Sequence, residues 1–126
     1  MRHLTLALVL LGLLPNLAAA QDVVSQAPSK CVVRYEDETV RVIEVTLQPG
    51  DTLPFHTHPE YILYQLTDGL MQQFHRGEQP KVIELKAGTA AHRQAETEGH
   101  MARNVGNTVI RNLNIELKTG LNPAKQ

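Results

Sequence analysis

The chain has 126 residues, 42% of them apolar and 20% charged, and its 12 basic and 13 acidic side chains give a formal net charge of −1. That length supports one domain and not comfortably two, and a near-neutral balance with no basic stripe excludes nucleic acid as a partner. A single cysteine excludes an internal disulfide, and with no tryptophan and two phenylalanines the core must come mostly from Val, Ile, Leu and Ala.

The chain opens Met1-Arg2-His3, runs apolar from Leu4 to Leu14 and reaches Ala18-Ala19-Ala20 just before Gln21. A positive start, a short apolar stretch and small residues at the cut site describe a secretory signal peptide over residues 1–20. The apolar run is shorter than the roughly 20 residues a membrane helix needs, so no membrane association is expected once the chain is cut near Ala20. The mature protein is expected in the bacterial periplasm or outside the cell, with a net charge of about −2 after loss of Arg2. Residues 21–38 read as a polar leader and first strand, where Cys31 counts as a small apolar residue.

From Thr39 the pattern has period two. Arg41, Ile43, Val45 and Leu47 share one face, and Val40, Val42, Glu44 and Thr46 share the other, as a strand requires. Gln48-Pro49-Gly50-Asp51 breaks that strand with a turn. Tyr61 to Leu66 is a β-prone run stopped by Thr67-Asp68-Gly69, and Leu70–Phe74 with Lys81–Leu85 flank a hairpin loop that would leave His75 solvated. Ala87-Gly88 marks another turn, and residues 90–99 read as strand and loop. On the last strand Val109, Leu113, Ile115 and Leu117 alternate, with Arg111 on their face as the one charged residue to test for pointing inward. Residues 39–118 thus form an all-β sandwich or barrel, and 119–126 a tail.

His56-Thr57-His58 carries the chemistry. On a strand, residues i and i+2 point the same way with Cα atoms about 6–7 Å apart, which lets two imidazoles converge on one ion at about 2.0–2.1 Å per bond. Taken by itself the pair is also what a loop or a hydrogen-bonded core produces. Around it, however, Gly50 stands six residues before His56, and Gly88 is followed by Gly99-His100 and then Asn104.

In these motifs, Gly50 through His56-Thr-His58, Tyr64 to Gly69, and Gly88 through His100 to Asn104, the sequence resembles the cupin superfamily. The resemblance runs from about Val40 to Lys118 and implies a double-stranded β-helix, the jelly-roll cupin barrel, whose motifs bring three histidines and a glutamate to one metal. By position His56, His58 and His100 match the histidine ligands. At the glutamate position stands Tyr61, while Glu60 lies one residue off, on the opposite face unless Pro59 shifts the register. A fourth ligand from Glu60 or His92 stays open. Strand parity aims Tyr61, Leu63 and Gln65 inward, so Tyr61, Gln65 and His92 are the candidates for holding substrate or moving protons. Asn104 is expected to do the structural work of a turn.

Zinc, iron, manganese, nickel and copper all accept imidazole, so one divalent transition ion is expected without its identity. The resemblance implies a metal-binding cupin acting on a small molecule as an oxygenase, isomerase or lyase, and small cupins pair as homodimers. The alternative is a non-catalytic module that captures a small ligand or the metal. Arg93, Arg103 and Arg111 are the residues that could line a site for an acidic substrate.

Overall fold

The computed structural model describes residues 21–118, so the signal peptide expected over 1–20 and the tail over 119–126 lie outside the described residues. One short helix, α1 (Val23–Gln26), precedes nine strands: β1 (Cys31–Glu36), β2 (Val40–Leu47), β3 (Thr52–His58), β4 (Tyr61–Gln65), β5 (Gly69–His75), β6 (Lys81–Leu85), β7 (Ala90–Arg93), β8 (Glu96–Asn104) and β9 (Ile110–Leu117). They form two antiparallel sheets, β1-β2-β9-β4-β7 and β3-β8-β5-β6. Apart from the β1–β2 and β5–β6 pairs, successive strands switch from one sheet to the other, the crossing pattern of a jelly roll. Among the described residues no helix is long and apolar enough to cross a membrane.

Strand parity decides what the barrel encloses. On β2, Ile43, Val45 and Leu47 are buried, and with Leu53, Met71, Leu85, Ala102 and Ile110 they form one apolar cluster. Residues 21–30, polar by composition, are nevertheless anchored. Val23 is fully buried in that cluster, Asp22 caps α1 through Ser25 and pairs with Arg41, and Thr57 N–H donates to the Gln21 carbonyl at 2.8 Å. Burial of Cys31 on β1 pushes its thiol up to about 11 and keeps it protonated.

The last strand corrects the reading of Arg111. Ile110, Asn112, Asn114 and Glu116 face the interior, while Arg111, Leu113, Ile115 and Leu117 face outward. Arg111 is tied on the outer face to Glu44, which also accepts from Arg34 at 2.8 Å. Arg111 and Arg34 hold the Glu44 carboxyl below its usual range. Asn104 is 1% exposed and fastens the turn into β9, donating to the carbonyls of Leu47 and Thr108 and accepting from the Gly106 N–H.

Candidate metal centre

β3 carries His56 and His58 on its inner face, and the β3–β8 register sets His100 directly opposite His56. That register is irregular on both sides of His56. Gly99 makes the irregularity possible: its φ is +75°, and a Cβ there would stand 2.6 Å from the His56 carbonyl oxygen. Only glycine takes that conformation and that contact without strain.

The three rings are 1–5% exposed. Their centroids lie 4.5–5.5 Å apart, and one ligand atom from each falls within 4.8 Å of the others. Two of the rings turn Nδ1 to a hydrogen-bond acceptor, and the third has a carboxylate nearby. His56 Nδ1 is 2.7 Å from the Pro54 carbonyl, His100 Nδ1 meets the Glu96 carboxylate, and His58 Nδ1 lies 3.5 Å from Glu116 Oε1. At His56 and His100 the acceptor at Nδ1 fixes the proton there and leaves Nε2 with a lone pair, as metal-binding histidines require, whereas His58 Nδ1 and Glu116 Oε1 make no hydrogen bond. Burial, with His100 and His58 close by, pushes His56 down to about 4, so that its ring is neutral around pH 7. The donor set fits a transition ion. Three buried histidines of this kind could hold one, its identity unspecified by the geometry.

The carboxylates behind the rings are themselves secured. Glu116 accepts from Arg41 Nε at 2.8 Å, and Arg41 also pairs with Asp22, so a chain of charges runs from the first described residues to His58. The His100 ring holds the Glu96 carboxyl below its usual range. Sequence reading did not single out these two glutamates. Glu116 shares its face with Asn112 and Asn114, a polar face that pattern alone assigns to solvent. Glu96 stands four residues before His100 on one strand and so shares its parity, a relation that period two alone makes available.

The two residues left open as a fourth ligand are placed elsewhere. Glu60 Oε1 and His92 Nε2 are 2.6 Å apart, and His92 is paired in register with Ile62 on the outer face. Pro59 does not shift the register, because Tyr61 enters buried and opposite Glu116. Among the described residues the convergent group is therefore His56, His58 and His100 alone. Tyr61 stacks on His58 at 4.5 Å, and burial pushes its phenol up to about 12. Gln65 is buried on the inner face farther along β4. His75 is half-buried with its ring 5.5 Å from that of His100, not solvated as its loop position suggested. A cavity of about 490 Å³ opens beside His58, with Thr57, Pro59, Glu96 and Thr97 on its wall.

Two comparisons are silent: no family profile and no curated protein matches the chain. Solved structures do match. A cupin domain from Bordetella pertussis is 25% identical over 70% of this chain and 91% of its own, with a TM-score of 0.64. A double-stranded β-helix protein from Klebsiella pneumoniae is 21% identical, with a TM-score of 0.56 over 72% and 79% of the two chains. An RmlC-like cupin from Methanocaldococcus jannaschii is 18% identical, with a TM-score of 0.53 over 69% and 79%. With the double-stranded β-helix and its two motifs in place, the chain belongs to the cupin superfamily.

Proposed function

We propose that this protein is an exported metal-binding cupin in which His56, His58 and His100 hold one divalent transition ion, and that it is an enzyme of the oxygenase, isomerase or lyase type acting on a small molecule. The observation that carries the metal reading is the convergence of three buried rings, two of them held at Nδ1 by the Pro54 carbonyl and Glu96. Without an ion, three buried imidazoles with their Nε2 atoms turned together have little to offset their desolvation. When bound, the ion supplies Lewis acidity and open coordination positions. The chain's own residues supply the rest. Tyr61, protonated at neutral pH, is a hydrogen donor beside His58, and the cavity against His58 and Glu96 gives a small molecule access. The leader at residues 1–20 supports export, and the outward apolar residues of the five-stranded sheet, Ile115 and Tyr64 among them, support pairing of two copies.

Elemental analysis of untagged protein tests the metal reading. Near-stoichiometric zinc, iron, manganese, nickel or copper is expected in the native chain, with none in the His56→Ala/His58→Ala variant. A folded native protein that carries no metal and takes up none on addition defeats it.

A further inference from the structure

A second cavity, of about 220 Å³, lies between the sheets and is lined by none of the three histidines. β4 and β7 form one wall, β5 and β6 the other. Its apolar lining includes Leu63, Met71 and Leu85, and its polar lining includes Gln65, Gln73 and Arg93.

Two of these groups stand out, a buried acceptor without a donor and an arginine without an ion-pair partner. Gln65 is 4% exposed, and its side-chain Oε1 has no hydrogen-bond partner. Its strand neighbour across β9, Asn112, has an unpartnered Oδ1 as well. A buried acceptor left without a donor costs the fold free energy unless a ligand donates to it. Arg93 is the other. It stands opposite Tyr61, on the inward parity of β7, and among the described residues it has no ion-pair partner. Arg34, Arg41 and Arg111 are all paired with carboxylates, and Lys86 on the same cavity wall is held by Glu84 at 2.8 Å. Of the three arginines that the sequence offers for an acidic substrate, Arg111 is spent on Glu44 and Arg103 is exposed opposite Thr52, away from the cavity lining. Of the three, Arg93, itself exposed, is the one that lines this cavity.

We propose that this cavity binds a small carboxylic acid bearing a hydroxyl or N–H donor at its other end. Arg93 pairs with the carboxylate, Gln65 Oε1 accepts from the donor, and the apolar side chains pack the carbons between them. Along β4 the two positions are four residues apart, about 13 Å of backbone. Side chains of that length, an arginine and a glutamine, leave room for a short chain within that span. The charge balance favours a monoanion, because Arg93 is the one unpaired cation on the lining and Glu84 shares the wall. The site requires no metal.

The test is a heteronuclear NMR titration of the full mature chain with 4-hydroxybutyrate and 6-hydroxyhexanoate, with butyrate and 1,4-butanediol as controls. At least one hydroxy acid is expected to shift the Arg93 Nε–H and Gln65 side-chain amide resonances, with each control about tenfold weaker or more. Arg93→Gln, a change at an exposed position, is expected to weaken the acid about tenfold and leave the diol unaffected, and Gln65→Met to remove the advantage of the hydroxy acid over butyrate. The same shifts are expected in His56→Ala/His58→Ala, so this site and the metal reading fail separately. No shift with either acid overturns the proposal, as does binding undiminished in Arg93→Gln. Binding lost in the histidine double variant also overturns it, since that places the carboxylate at the metal site.

Discussion

At the scale of single residues, the acceptors behind the histidines make the sharpest prediction. Glu96 orients His100 from behind through Nδ1 and leaves the other ring nitrogen untouched. Removing such a partner costs roughly 10–100-fold in metal affinity. Glu96→Gln is therefore expected to weaken metal binding in that range in a competition titration, with unchanged far-UV dichroism. Equal affinity in Glu96→Gln and wild type would show that the carboxylate does not orient the ring. The metal-free chain should also show His56 in its pH dependence. Its folded pKa of about 4 lies below the ordinary 6.5, so between those values the unfolded chain binds a proton the folded chain does not. Stability of the metal-free protein should thus rise as the pH is raised from about 4 to about 6.5. Denaturation midpoints over that window check this, and in His56→Phe the contribution of that residue to the slope should vanish.

At the scale of elements, the glycine that joins β3 to the β8 histidine is the vulnerable point. Gly99→Ala meets both a positive φ, which costs about 1–2 kcal/mol for a residue with a Cβ, and the His56 carbonyl oxygen at 2.6 Å. We expect it to lower stability by at least that amount in chemical denaturation and to lose metal by moving His100 away from His56. Ala substituted at the exposed Gly77, whose φ is also positive but whose Cβ would meet nothing, should cost the strain alone and keep the metal. Much of this was legible in the sequence, because His-x-His and the glycines are local patterns and period two assigns β2 its faces correctly. The irregular pairing that sets His100 opposite His56 and Glu96 opposite His58, and the polar inner face of β9, depend on which strands become neighbours. Leu113 and Ile115 look like core in the sequence, yet the barrel puts Asn112, Asn114 and Glu116 inside because it encloses a site there. The anchoring of residues 21–30 escaped composition for a similar reason: Val23 and Ala27 are small apolar residues in a polar stretch, and only the folded core gives them a place.

At the scale of the whole molecule, that inversion leaves an apolar surface on the other side of the five-stranded sheet. Tyr35, Val42, Ile115 and Ile62 lie in register across four neighbouring strands, with Leu113 and Tyr64 in the adjoining row. Tyr35 and Tyr64 are 55% and 37% exposed. The charges beside them, Arg34, Glu44 and Arg111, are already paired within the chain, so the surface offers little unpaired charge with which to select a foreign protein. A contiguous apolar patch centred on the middle strand, β9, suits a two-fold axis, because each copy then meets its own surface and the contact closes on itself. Light scattering behind a sizing column is expected to give twice the chain mass at micromolar concentration. Ile115→Lys places one charge at that centre without disturbing the interior, so it should give a monomer that keeps its strand dichroism and its metal. A wild-type chain that is monomeric under these conditions would remove the dimer. A dimeric Ile115→Lys would move the contact to another face, most simply the exposed edge strand β1, whose pairing would then be tested by a proline at Val32.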